Sequence, residues 1–437
     1  MKPSKHNIVS QIKNSEDFYI VNLLSGNADI ISKEIASEIT QQSSIPNTEW
    51  IEKGYWIEEK NEQKLYRIKY LEFIDEREKD EIQIFFVPTY ACNFACKYCY
   101  QDEYNTEKLE LSTEIIDSFF DYITKKFNNR KKYITVFGGE PLLPSVQHKK
   151  TIEYFINKAN ENKIDLAFVT NGYSLTEYLE ILSKGRIREI QVTLDGTAMV
   201  HDKRRFLKNG GNTFDQISLG ISEALNKGFS INLRMVVDKE NINELPLLAK
   251  HAIEKGWTKS PLFKTQLGRN YELHHCQKEQ SHLFSRIEMY ENIYELLKTY
   301  PYIAEFHKTA FSISKFLFEN GELPSPLFDS CPACKTEWAF DYTGKIYSCT
   351  ATVGKEDEEL GTFYPEVKLN NEAVETWQER DVLAINECKN CEMQLACGGG
   401  CGSVAKNQKG NVNTADCRPI KNLLSLGIAH YFADSVE

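Results

Sequence analysis

Nowhere in the 437-residue chain do about 18 apolar residues follow one another, so no segment has the length a membrane-spanning helix requires. Positive charge is in the minority: 52 Lys and Arg stand against 63 Asp and Glu, a net charge of −11. A broad nucleic-acid surface needs the opposite balance, because phosphates are bound by cationic side chains. Neither nucleic acid nor membrane is therefore expected as a partner. The opening MKPSKHNIVSQIKNSEDF has no apolar h-region and no small-residue cleavage site. The expected location is the cytoplasm, where thiols stay reduced. Internal repeats and low-complexity linkers are also missing.

Cysteine is abundant, with twelve in the chain. Three lie within Cys92–Cys99, eight within Cys331–Cys417, and Cys276 stands alone. Core cysteines would be scattered, whereas clustered thiols in a reducing compartment point to metal ligation.

The chain divides into three expected regions. Residues 1–82 read as a small α+β module: DFYIVNLLSGNADIIS gives two strands around a Ser-Gly-Asn turn, and KEIASEITQQ a short helix. Residues 83–310 alternate strands with helices. The apolar runs IQIFFVPTY, YITVFGG, DLAFVTNG, EIQVTLDG, SINLRMVVD and PLFKTQLGR give six βα units and a parallel sheet. Six units are too few for an eight-fold barrel, so an open partial barrel is expected, with function at the strands' C-terminal ends. Residues 280–320 read as mostly helical. Residues 311–437 become cysteine- and glycine-rich with little periodicity, as in segments that need metal to fold.

Cys92-Asn-Phe-Ala-Cys96-Lys-Tyr-Cys99 places three soft ligands in the loop after the first strand. By spacing alone this is either a zinc site completed by a distant histidine or an iron–sulfur cubane with one open iron. Gly138-Gly139-Glu140-Pro141 follows the second strand; glycines permit close backbone approach, and a glutamate can hold an ammonium. Together these motifs make residues 83–270 resemble the core of the radical S-adenosylmethionine (SAM) superfamily, a partial (β/α)6 barrel. The resemblance implies that Cys92, Cys96 and Cys99 ligate a SAM-binding [4Fe–4S] cluster and that Tyr98 flanks the adenine. It also implies that Gly138, Gly139 and Glu140 contact the methionine end of SAM. Thr170, Asn171 and Asp195, in the turns after strands three and four, would take ribose and carboxylate contacts. His201, Asp202 and Arg205 either support the site or are solvated loop charges.

In the C-terminal region Cys334 is followed by Gly344 and Cys349, then by Cys388, Cys391, Cys397, Cys401 and Cys417. By count, eight cysteines including Cys331 suit two zinc ions or two cubanes. The spacing resembles the SPASM domain of radical SAM peptide maturases. That resemblance implies two auxiliary [4Fe–4S] clusters, three clusters in all. Auxiliary cluster I would use Cys334, Cys349, Cys401 and, as fourth ligand, Cys331. Auxiliary cluster II would use Cys388, Cys391, Cys397 and Cys417. Cys276 is an alternative fourth ligand, a core thiol, or a candidate hydrogen-atom donor in catalysis.

Residues 1–82 loosely resemble the leader-peptide recognition element of ribosomal peptide maturases. The implied activity is reductive cleavage of SAM to a 5′-deoxyadenosyl radical, hydrogen abstraction from a ribosomal precursor peptide, and formation of a thioether or carbon–carbon cross-link. An electron donor such as flavodoxin or ferredoxin is implied as a second partner. Alternatives are formylglycine formation as in anaerobic sulfatase maturases, peptide epimerisation, or a non-catalytic iron–sulfur scaffold that binds peptides. Sulfatase maturases carry an aspartate after the second motif cysteine, where this chain has Thr350, with Asp341 nearby in sequence. Lys264, Gln266, Arg269 and Tyr271 are candidates for the substrate mouth.

Overall fold

The computed structural model describes residues 1–41, 48–99, 110–269 and 282–435. The chain opens with β1 (Lys2–Pro3), β2 (Ile8–Gln11), β3 (Phe18–Asn22) and β4 (Asn27–Ile31). Helices α1 (Lys33–Gln41) and α2 (Thr48–Glu52), the short β5 (Trp56–Ile57) and the long α3 (Glu59–Lys79) follow. β2, β3 and β4 form an antiparallel sheet with β3 in the centre, and β1 pairs with β5. The anticipated turn between β3 and β4 holds Gly26 at a φ of +78°, where a side chain would be strained. α3 is charged over most of its surface, yet Tyr66, Tyr70 and Phe73 recur at helical spacing and all pack on the ring of Phe328.

Six parallel strands build the barrel: β6 (Ile82–Val87), β7 (Lys132–Val136), β8 (Asp165–Thr170), β9 (Ile187–Thr193), β10 (Ile231–Val237) and β11 (Phe263–Arg269). They are linked by α4 (Thr113–Lys126), α5 (Val146–Glu161), α6 (Leu175–Leu182), α7 (Ala198–Arg204), α8 (Phe214–Asn226) and α9 (Leu245–Glu254). Ser112 and Ser145 cap α4 and α5 by accepting from the Ile115 and His148 N–H groups. Alternate strand residues such as Ile84, Phe86, Ile134, Phe168, Ile190 and Leu233 are buried in one core with the helices. The opposite, concave face carries Gln83, Tyr133, Gln191, Asn232 and Arg234, which are only half-buried. A polar, incompletely filled interior is a chamber rather than a packed core.

The sheet does not end at β6. β12 (Glu337–Asp341) pairs with it in parallel, from Glu337 opposite Gln83 to Asp341 opposite Val87. β13 (Lys345–Tyr347), β14 (Glu359–Thr362) and β15 (Lys368–Leu369) extend the sheet antiparallel to ten strands. The cysteine-rich region therefore has ordinary sheet structure at its start, which its weak periodicity did not reveal. Its later part shares a second hydrophobic cluster with the N-terminal sheet: Ile8, Tyr19, Val21 and Leu23 pack with Val382, Ile385, Leu395 and Leu424.

A buried carboxylate joins these regions. Asp329 is 2.5 Å from Lys335 Nζ and 3.6 Å from both Arg77 of α3 and Arg380. Burial raises the Asp329 pKa, and Lys335 opposes that rise. Phe86, fully buried against Phe119 and Phe155, tests the barrel core. Phe86→Ala is expected to cost about 3–5 kcal/mol, read as a lower urea midpoint by circular dichroism.

Candidate active site

The loop carrying Cys92, Cys96 and Cys99 is shaped by the segment that follows α7. Ala95 N–H donates to Phe206 O at 2.9 Å, Lys97 N–H to Arg204 O at 3.1 Å, and Lys208 N–H to Asn93 O at 2.9 Å. The turn after β7 closes from the other side, with Gly139 N–H on Thr89 O (3.0 Å) and Glu140 N–H on Ala91 O (2.9 Å). A Cβ on Gly139 would lie 2.2 Å from Ala91 O and 2.4 Å from Tyr90 O. Glycine is thus required for the two loops to meet, before any ligand is considered.

Glu140 is 1% exposed. Its Oε1 accepts from Thr170 Oγ1 (2.6 Å) and Leu142 N–H (2.8 Å), and its Oε2 from Asn171 N–H (2.6 Å). Burial raises its pKa, and these three hydrogen bonds hold the ionised form against that rise. A carboxylate has about four acceptor positions, so one remains for an ammonium. Asn171 also donates to Asn93 Oδ1 at 2.8 Å and approaches Cys92 Sγ at 3.9 Å; Phe94 N–H reaches that sulfur at 3.4 Å.

Asp195 is fully buried and already engaged: Oδ1 accepts from Val236 N–H at 2.9 Å, and Oδ2 from the Tyr98 hydroxyl. Arg205 Nη1 donates to Tyr98 Oη at 2.7 Å, and Arg204 forms a two-pronged contact with Asp238. His201, Asp202 and Arg205 are not solvated loop charges. Burial lowers His201 to about 3, so the ring is neutral; Nδ1 accepts from Asp195 N–H and Nε2 contacts Thr213 Oγ1. Asp202 receives the Thr213 and Phe214 N–H groups at the start of α8.

The eleven described cysteines are thiols without disulfides. Burial, then the Glu140 charge, pushes Cys92 up to about 12, with Cys96 and Cys99 adding to the rise. Burial raises Cys349, on which Cys331 and Cys401 also act, and Cys331 acts in turn on Cys334. Burial pushes Cys388 up to about 12, reinforced by Cys397, Cys391 and Cys417. A Cβ on Gly402 would lie 3.1 Å from Cys331 Sγ, so glycine clears space between that sulfur and the Cys401 turn. Cys334 is held at a φ of +59°, a conformation costly for a side chain. Among the described residues, no three His, Cys, Asp or Glu side chains are grouped tightly enough for a single metal ion. Cys276 and Tyr271 lie outside the described residues.

Residues 86–252 match the Radical SAM superfamily profile. GTP 3′,8-cyclase of Campylobacter fetus subsp. fetus is 33% identical over 171 residues, 38% of this chain and 51% of the cyclase. The chain thus spans about half the length of that relative. The mycofactocin maturase MftC of Mycolicibacterium smegmatis is 25% identical over 72% of this chain and 76% of its own. The serine-type anaerobic sulfatase-maturating enzyme of Bacteroides thetaiotaomicron is 27% identical over 78% and 86%. Among solved structures, anSMEcpe with bound AdoMet and Cp18Cys peptide shares the fold at a TM-score of 0.63, with 17% identity over 82% of this chain and 99% of that one. Streptococcus suis SuiB bound to its precursor peptide SuiA gives a TM-score of 0.52, with 13% identity over 95% and 98%.

The barrel is a radical SAM domain.

A radical SAM domain implies SAM and one [4Fe–4S] cluster, and the donor chemistry here suits both. Three thiols on one loop would leave a fourth cluster position open, and Glu140, with three hydrogen bonds accepted, has an acceptor position that an ammonium would suit. The radical SAM turns owe their rigidity to Asn93, Arg204, Asp238 and Thr213, none of which stood out in the sequence. Only Asn93 carried a local signal, as an amide between two motif cysteines. Buried thiols must lose protons to bind iron, so cluster reconstitution is expected to rise with pH. Gly139→Ala is expected to lower SAM cleavage about a hundredfold by displacing one loop by about 1 Å. Circular dichroism should show unchanged helix content.

Proposed function

We propose that the chain is a maturase that forms an oxidative cross-link in a ribosomally made precursor peptide. The observation that carries this reading is the second cysteine region, eight thiols between Cys331 and Cys417, whose spacing would serve two sets of four. It is supported by likeness to peptide and protein maturases that extends well beyond the barrel.

Bound SAM and its cluster would supply a 5′-deoxyadenosyl radical able to take hydrogen from an unactivated carbon. Cys92, Cys96 and Cys99 would hold that cluster, with Phe94 N–H and the Asn171 amide directed at the Cys92 sulfur. Such contacts tune a cluster's potential. Glu140 would receive the SAM ammonium, and Tyr98, fixed by Asp195 and Arg205, would flank the adenine. The chamber would orient the target side chain and exclude water. Cys331, Cys334, Cys349 and Cys401 would hold one auxiliary cluster, and Cys388, Cys391, Cys397 and Cys417 the other. Their role would be to accept the surplus electron; a flavodoxin or ferredoxin would supply the initiating one. The precursor's leader would add as a strand to β4, an edge strand whose Ile30 is exposed.

The second reading is formylglycine formation. The aspartate expected at Thr350 is absent, yet Glu337 brings a carboxylate to the same place by accepting from Thr350 N–H at 2.8 Å. Asp341 is directed elsewhere: it accepts from Thr343, Tyr90 and Tyr347.

The decisive experiment is anaerobic co-expression with the precursor peptide encoded beside the gene, followed by mass analysis. Loss of two hydrogens, with fragments joined, is expected. An aldehyde trapped by hydrazide would establish the second reading, and an unchanged mass would refute cross-linking. Replacing Cys92, Cys96 and Cys99 together by alanine should remove about a third of the iron and all SAM cleavage; retained cleavage refutes the ligand assignment. Deleting residues 1–82 would uncover the cluster shared with Val382 and Leu424, so Ile30→Pro is the cleaner test of the leader site. It should weaken binding of the leader peptide about tenfold or more by blocking strand addition, measured by fluorescence anisotropy, with SAM cleavage unaltered.

A further inference from the structure

The concave face of the barrel carries a cation, Arg234, that forms no ion pair among the described residues. Along β10, Ile231, Leu233, Met235 and Val237 are buried among the helices, so Asn232, Arg234 and Val236 face the chamber. Val236 N–H is the donor to Asp195, which places Arg234 one side-chain layer deeper than that turn. The layer below Arg234 neutralises itself. Lys264 pairs with Glu189, and Asn232 donates to the same carboxylate at 2.9 Å.

Arg234 forms no ion pair among the described residues, and its Nε is buried without a hydrogen-bond acceptor. Space for the guanidinium is built in. On the neighbouring strand, a Cβ at Gly268 would lie 3.0 Å from both Nε and Nη2 of Arg234. A guanidinium has five donors in a fixed fork that matches a carboxylate, and a donor such as Nε buried without an acceptor costs stability. The arrangement is that of a binding group waiting for an anion that enters the barrel.

We propose that Arg234 receives a carboxylate of the peptide substrate inside the barrel, one layer below the SAM turns. This rests on the maturase reading for the substrate class, but not on which bond the enzyme forms. Held there, the carboxylate would fix the peptide's depth and so select which carbon faces the radical. Two peptide carboxylates share this chemistry: an acidic side chain and the C-terminus.

The test uses the reconstituted full chain with SAM present and three probes: acetyl-Ala-Asp-Ala-amide, acetyl-Ala-Ala-Ala with a free C-terminus, and the neutral acetyl-Ala-Asn-Ala-amide. Calorimetric titration is expected to show one of the two carboxylate probes binding about tenfold tighter than the neutral one, and that probe identifies the source. Arg234→Gln should abolish the preference, and Arg234→Lys should restore part of it through charge without the fork. Equal binding of all three probes to the native chain, or a preference that survives Arg234→Gln, overturns the proposal. So does a parallel loss of SAM affinity in Arg234→Gln, titrated without peptide, because the cation would then serve SAM. A native chain that cleaves no SAM refutes the proposed function instead, and the probe titrations still decide Arg234.

Discussion

The parallel pairing of β12 with β6 is the contact on which the arrangement of this protein depends. Without it the barrel would have free strand edges on both sides, and the C-terminal region would be a loosely attached extension. With it, Glu337 falls beside Gln83 and Asp341 beside Val87, and one sheet runs through barrel and auxiliary region. The cysteines that flank this hairpin, Cys334 and Cys349, are thereby anchored next to its strands. The N-terminal sheet and α3 then close over the later cysteines through a shared apolar cluster and the buried Asp329 charge.

Around the site, the buried polar groups act on the protein before they act on any ligand. Glu140 binds the turn after β8, Asp195 binds Tyr98 and β10, and Gly139 makes room for two backbone carbonyls. Each ties the end of one strand to the end of its neighbour. Preorganisation of this kind keeps a reactive radical site from spending binding energy on ordering its own loops. Buried carboxylates that accept several hydrogen bonds are also expensive to disturb, which makes the turns rigid. Arg234 is the contrast: it lies near the same turns, and among the described residues its Nε has no acceptor.

Much of this was legible in the chain. CxxxCxxC followed by GGEP, and strands alternating with helices, sufficed for the radical SAM barrel, because local spacing and hydrophobic period encode both. The place of Cys331 beside Gly402 is added by the fold. Other parts were hidden for physical reasons. α3 lacks an apolar face of ordinary width, and its aromatic stripe has meaning only once Phe328, some 250 residues away, is present. The β12–β13 hairpin was obscured because its strands are short and lie among cysteines and glycines.

The sequence by itself determined the radical SAM barrel and the order of its motifs, since these depend on residue type and spacing along a few turns of chain. The tertiary structure decided which polar groups are occupied and which are open. Asp195 and His201 look available in sequence but are enclosed, whereas Arg234 looks like any strand arginine and faces an open chamber. Availability depends on burial and on partners distant in the chain, and neither is a local property of the sequence.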